Sequence, residues 1–141
     1  MGEQQVNLTK ILAENKLGVL ATIRRDGRPQ LSNVMYAYDA ERRLILVSVT
    51  ADRAKTRNVL RDPRAVIQVQ GGSPWQYAVA DGAVTLSPVT EEPGDAAGEE
   101  LVELYRTLSG EHEDWDAYRA DMIAQRRQVL RLSVDHLYGI G

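Results

Sequence analysis

The sequence predicts a mainly β protein, with about six short, mostly antiparallel strands rolled into a small closed barrel and short helices inserted. Three observations carry that reading. Apolar, β-branched runs of strand length recur at close intervals, as at Gly18–Ile23, Leu44–Val49 and Ala65–Val69. Turn residues punctuate them at Asp26-Gly27, Asp39–Arg42 and Gly71-Gly72-Ser73-Pro74. Asp81-Gly82 interrupts the longest alternating run, where a bulge would bend the sheet toward closure.

In chain order, Asn7 caps a short helix to Glu14 whose Leu8, Ile11 and Leu12 share one face and cover a barrel end. Gly18–Ile23 is the first strand, and the Asp-Gly turn returns the chain through Pro29–Tyr36. The next turn leads into Leu44–Val49, which makes the first three strands a meander. Ala65–Val69 and Trp75–Leu86 follow as strands, and Pro88–Gly98 is acidic and loop-like. From Asp95 the spacing of Leu101, Leu104, Tyr105 and Leu108 predicts a helix ended by Ser109-Gly110. Asp114 caps a further helix carrying Trp115, Tyr118, Met122 and Ile123. Strand Gln128–Val134 and a short tail close the chain.

Composition bounds the function. The 141 residues, 43% hydrophobic and 26% charged, fit one domain spanning 1–141. With no Phe, the core must be Leu, Val, Ile and Ala with a few Tyr and Trp. The lack of Cys excludes disulfides, thiolate chemistry and Cys-ligated zinc, and two distant His leave little for a metal site. A net charge of −3 argues against a general nucleic-acid binder. No apolar run reaches the roughly 18 residues of a membrane span. Met1-Gly-Glu-Gln-Gln5 lacks the basic and apolar regions of a signal peptide, so a cytoplasmic, soluble protein is expected.

The stretch Leu44–Asp62 organises the rest. A buried strand breaks at Thr50-Ala51-Asp52 and continues as a helix with Asp52 as N-cap, stopped at Asp62-Pro63. Arg53 and Lys55 then stand in the first turn, where cations oppose the helix dipole by roughly 0.3–1 kcal/mol each. A bound anion, phosphate in particular, would offset that cost. The alternative is a solvated helix with Asp52 and Asp62 as charge partners.

No Gly-x-Ser-x-Gly elbow, Walker loop or dinucleotide fingerprint is present. Asp135-His136 could be half of a dyad, but neighbours on a strand point to opposite faces, which favours a structural His136. His112, between Glu111 and Glu113, reads as a surface residue near a helix end. No catalytic residue is assigned, and an enzyme with this sequence would rely on a cofactor. Gln30, Ser32 and Asn33 on the second strand and Ser48 on the third could hydrogen-bond a planar ring. Trp75 and Tyr77, two apart on the fifth strand, could wall it, or could be ordinary core.

Together Gly18-Val-Leu-Ala-Thr-Ile23, Asp26-Gly-Arg-Pro29, Ser32-Asn-Val34, Arg53-Ala-Lys-Thr-Arg-Asn58 and Asp62-Pro-Arg64 resemble the pyridoxamine 5′-phosphate oxidase-like split β-barrel superfamily. Arg53-Ala-Lys-Thr56, Trp75-Gln-Tyr-Ala78 and Gly110-Glu-His-Glu-Asp-Trp115 carry a closer resemblance to its deazaflavin-binding branch, the coenzyme F420 proteins of actinobacteria. The resemblance implies a six-stranded antiparallel split barrel of the FMN-binding type. It implies a homodimer with each cofactor site built from both subunits. It places Arg53, Lys55 and Asn58, with Ala54 in the same turn, on the phosphate and acidic tail. Gln30, Ser32, Asn33, Ser48 and Val49 would line the deazaflavin ring, and Trp75 and Tyr77 would reach across from the neighbouring subunit.

The implied function is an F420-dependent reductase that passes a hydride to a small organic acceptor. The alternatives are an FMN-dependent oxidoreductase of the oxidase type and an F420 carrier without turnover. An acidic barrel that binds a protein partner would leave Arg53 and Lys55 unexplained. Ser32 stands where the FMN oxidases typically carry arginine, and Ala54-Lys55 where they tend to carry Arg-Lys. Their C-terminal arginine and histidine have no counterpart in Ser133–Gly141, which disfavours vitamin B6 oxidation and FMN.

Overall fold

The computed structural model describes residues 2–141. Helix α1 (Glu3–Glu14) precedes a hairpin of β1 (Leu17–Ile23) and β2 (Pro29–Met35), then β3 (Ala37–Asp39), β4 (Leu44–Thr50) and helix α2 (Ala54–Arg61). Strands β5 (Arg64–Gln70) and β6 (Tyr77–Leu86), helices α3 (Ala96–Ser109) and α4 (Trp115–Ala124) and strand β7 (Arg127–Ile140) complete it. One antiparallel sheet runs in the order β2-β1-β5-β6-β7-β4-β3, curled into a split barrel. The sheet has seven strands, not six, because the predicted strand to Tyr36 breaks and β3 is added.

That break also removes the predicted meander. Tyr36 is fully buried, its hydroxyl donating to the Leu12 carbonyl at 2.7 Å. With its ring turned into the core, the chain leaves the β1–β2 ladder and crosses to the far edge. There β3 pairs with β4, and β4 pairs with β7 rather than with β2. The outer edges of β2 and β3 carry no ladder partner among the described residues. Strand β4 beyond Leu46 is likewise unpaired toward β3. The gap between β2 and β4 is therefore a split bordered by free backbone N–H and C=O groups, which must find other partners.

Two glycines serve the curl. Gly27, at φ +87°, closes the three-residue β1–β2 loop, its N–H bonding the Arg24 carbonyl at 2.9 Å. Gly82 sits at the predicted bulge, where a Cβ would lie 1.7 Å from the Ser133 carbonyl oxygen. Strand β7 runs to Ile140, well past the predicted Val134, because the supposed tail pairs with β6 up to Tyr77. Gln4 and Gln5 of α1 also donate to its Gly139 and Leu137 carbonyls.

The barrel is filled by Leu20, Ile45, Val47, Val49, Ile67, Val69, Leu130 and Leu132, with Leu8, Ile11 and Leu12 of α1 plugging one end. Helix α1 starts at Glu3, so Asn7 lies inside it rather than capping it. Helices α3 and α4 bring Leu101, Val102, Tyr118 and Met122 against Val129 on the barrel's outside. Asp95 and Asp114 cap them, accepting from the Gly98 and Ala117 N–H groups at 2.8 and 3.1 Å.

Candidate cofactor groove

Helix α2 starts one residue later than expected. Its N-cap is Arg53, in extended backbone and without a side-chain cap, so Asp52 does not serve as the cap. The Thr56 hydroxyl instead donates to the Thr50 carbonyl at 2.7 Å and pins the turn. The first-turn N–H groups are left without a side-chain acceptor. The predicted charge partners are also elsewhere engaged: Asp62 binds Arg64 at 2.8 Å, and Asp52 makes no ion pair among the described residues. The Arg64 guanidinium holds the Asp62 carboxyl down to about 2.

Beside this helix lies a cavity of about 340 Å³ lined by Arg24, Arg25, Gln30, Ala54, Arg57, Asn58 and Arg61. Its four guanidinium groups come from the β1–β2 loop and from one face of α2. Asn58, 7% exposed, is the strut. Its amide donates to Thr22 Oγ1 at 3.1 Å and its oxygen accepts from Arg61 at 2.9 Å, while Arg61 also donates to the Ile23 carbonyl at 3.0 Å. Among the described residues only Arg24 of the four has a carboxylate partner, Asp26 at 3.1 Å. Like charges four apart on a helix cost about 0.2–0.5 kcal/mol per pair, so Arg57 and Arg61 repel each other along α2. A bound polyanion reverses that sign.

A second cavity of about 320 Å³ opens at the split, lined in part by Asn33 and Met35 of β2, Ser48 of β4, Lys55, Leu108 and Arg127. Arg127 approaches the Ser48 carbonyl and hydroxyl at 3.4 Å and Gln125 at 2.9 Å. Lys55 forms no ion pair or hydrogen bond among the described residues. Burial first, then repulsion from Arg53 and Arg127, lowers its pKa. Asn33 also borders a third cavity with Leu17, Gln68 and Tyr77.

The fold thus divides the predicted residues. Gln30, Ala54 and Asn58 meet in the basic cavity, Ser48 and Lys55 in the split, and Asn33 lies between the split and Tyr77. The Val49 side chain is 1% exposed inside the core, so only its backbone can serve a ligand. Trp75 lies in a turn before β6, 80% exposed, and does not share a strand face with Tyr77. Arg53 is exposed at the mouth of the turn. Ser32 Oγ and Thr50 Oγ1 are buried without any hydrogen-bond partner.

Sequence reasoning missed Arg24, Arg25, Arg57, Arg61 and Arg127. The four-residue spacing of Arg53, Arg57 and Arg61 was the available signal for two of them.

Elsewhere, the bulge leaves Asp135 unpaired and places both it and His136 beside one cavity of about 480 Å³ on the outer sheet face. The expectation that they face apart fails for that reason. His136 Nδ1 pairs with Asp81 Oδ1 at 3.0 Å. His112 is not a simple surface residue: its ring packs against Tyr105, Trp115 and Tyr118 at 5.2–5.6 Å. Among the described residues no cluster suited to a metal ion occurs, and no helix is long and apolar enough to cross a membrane.

The split-barrel fold agrees with the family comparison, in which the pyridoxamine 5′-phosphate oxidase family matches residues 6–141. The chain belongs to that family. Among solved structures, one described as an F420 reductase is 24% identical, with a TM-score of 0.70 over 92% of this chain and 94% of that one. A conserved hypothetical protein of Mycobacterium tuberculosis is 22% identical, with a TM-score of 0.72 over 99% and 84%. An FAD-binding protein of Mesorhizobium loti is 23% identical, with a TM-score of 0.65 over 94% and 89%. At these identities the likeness is one of fold.

Proposed function

We propose that this oxidase-family barrel binds the deazaflavin coenzyme F420 and acts as a reductase for a small organic acceptor. One observation carries the reading: a basic cavity with almost no counter-charge adjoins a barrel split edged by unpaired strand backbone. The anionic phosphate and tail suit Arg24, Arg25, Arg57 and Arg61, with the α2 first turn beside them. The hydroxyls of Ser32 and Thr50, buried on β2 and β4 without a partner, leave polar groups unsatisfied at a cost of about 1–3 kcal/mol each on the two strands that border the split. The donor set of the basic cavity suits an anionic group.

When bound, the deazaflavin would supply the hydride. The chain's own residues bind and orient. Asn58 fixes Arg61, and Arg127 lies 3.4 Å from the Ser48 hydroxyl at the split. Two copies would complete the site. The exposed apolar residues Leu17, Leu31 and Met35 on the β1–β2 hairpin, with Trp75, offer the surface such a homodimer would cover.

The test is direct. Purified protein is titrated separately with F420 and with FMN, and the oligomer is measured by light scattering. Tight F420 binding, weak FMN binding and a dimer are expected. Protein that is yellow with bound FMN and ignores F420 would replace the deazaflavin by a flavin. Single-turnover oxidation of the reduced coenzyme with quinones and nitro-aromatics then separates reductase from carrier: the reductase reading expects acceleration with at least one acceptor.

A further inference from the structure

The Gly110–Trp115 segment carries part of the deazaflavin resemblance, yet it lines neither the basic cavity nor the split. The α3–α4 unit it joins nevertheless reaches the split at both ends, with Leu108 near the end of α3 and Arg127 at the start of β7. Between them one carboxylate ties the two helices. Glu111 accepts from Arg106 Nε of α3 at 2.7 Å and from Trp115 Nε1 of α4 at 3.0 Å, one bond to each carboxylate oxygen. The Arg106 guanidinium also stands 4.9 Å from the centre of the Trp115 ring. Trp115 in turn meets Tyr118 edge-on, with ring centres 5.6 Å apart. Burial pushes the Tyr118 phenol up and the charge of Arg127 opposes that rise, so the guanidinium lies within electrostatic reach of the ring. The fold itself has little need of Glu111. An exposed ion pair contributes little to stability, and Asp114 already caps α4.

We propose that Glu111 is a positioning residue for the coenzyme site, acting through Trp115 and Tyr118 on Arg127. Glu111 lines no part of the groove. It holds Trp115 against Tyr118, and that ring sets the guanidinium that borders Ser48 in the split. The inference rests on the reading of the split as part of the coenzyme site, and adds a residue outside it that governs affinity. A second pair between the same helices supplies the control. Arg119 of α4 binds Glu99 in the first turn of α3 at 2.8 Å, and neither residue lines the split.

The experiment titrates F420 into the wild type and into Glu111→Ala, Trp115→Phe, Glu99→Gln, Arg127→Gln and Glu111→Ala/Arg127→Gln. Thermal unfolding of each protein is recorded alongside. Glu111→Ala should weaken F420 at least about threefold, and Trp115→Phe, which keeps a ring but loses the indole donor, should do the same. Glu99→Gln breaks a pair of the same kind and should leave F420 affinity unchanged. On the Arg127→Gln background, Glu111→Ala should cost no further affinity. A further loss in that double variant would overturn the proposal, because Glu111 would then act by another route. Equal weakening by Glu111→Ala and Glu99→Gln would also overturn it, since general stability would explain both. So would unchanged affinity in Glu111→Ala and Trp115→Phe. A wild type that ignores F420 and takes up FMN would refute the deazaflavin reading alone, and the same series titrated with FMN would decide the role of Glu111. Binding of neither coenzyme would overturn both.

Discussion

The outer helices and the basic groove treat arginine in opposite ways. On α3, α4 and β7, Arg106 pairs with Glu103 and Glu111, Arg119 with Glu99 at 2.8 Å, and Arg131 with Glu100. At the β1–β2 loop and α2, Arg25, Arg53, Lys55, Arg57 and Arg61 have no carboxylate partner among the described residues. A chain with net charge −3 is not short of acid. In the groove only Asp26, on Arg24, forms an ion pair among the described residues. Paired arginines on a helix surface are part of the fold, whereas Arg61, held by a buried asparagine and without a carboxylate partner among the described residues, is free to serve a ligand.

That contrast can be broken most severely at Asn58. Asn58→Ala removes the Thr22 and Arg61 bonds and leaves buried groups unsatisfied. Denaturant unfolding should show a loss of roughly 1–3 kcal/mol, and F420 affinity should fall with it as Arg61 loses its position. Unchanged stability would mean that the strut holds nothing.

Charge removal sharpens the comparison at a smaller scale. Arg57→Gln should raise the melting temperature of the ligand-free protein by about 1–2 °C, by relieving like-charge repulsion along α2. Glu99→Gln should instead lower stability by no more than about 1 kcal/mol, as expected of a partly exposed pair. Equal signs for the two substitutions would erase the distinction between the regions.

The two regions also differ in pH response. Asp95 and Glu99 have lowered pKa values, the first from the Glu91 N–H and Thr90 bonds and the second from Arg119. Their stabilisation is present above the unfolded carboxylate pKa and is lost as pH falls through the folded one. Lys55 works in reverse. With its pKa lowered by burial, the unfolded chain holds the proton more tightly, so its penalty is relieved as pH rises toward 10.5. Unfolding measured from pH 8 to 10.5 should show a smaller gain for Lys55→Gln than for the wild type; identical slopes would place Lys55 in water.

How far the sequence foretold this depends on the range of the interaction. Local signals held: Asp26-Gly27 made its hairpin, Asp95 and Asp114 their caps, and Asp81-Gly82 its bulge. Two local signals failed, the Asn7 and Asp52 caps, and the larger failure was set by distant packing. Nothing near Tyr36 announces that its ring will enter the core and its hydroxyl reach Leu12, yet that choice splits the barrel and adds β3. The groove was half legible. Ala54 and Asn58, which the resemblance put at the phosphate end, lie in one cavity with Gln30, which it put at the ring. Arg24, Arg25 and Arg127 join only through strand pairing, which no spacing in the chain discloses.

The most direct measurement is an F420 titration of the wild type and of the Arg57→Ala/Arg61→Ala protein, each at low and at high salt. Wild-type affinity should fall with added salt, and the double variant should bind at least roughly tenfold more weakly with a shallower salt dependence. Equal affinity in both proteins at both salts would contradict the claim that uncompensated guanidinium groups hold the coenzyme's anionic end.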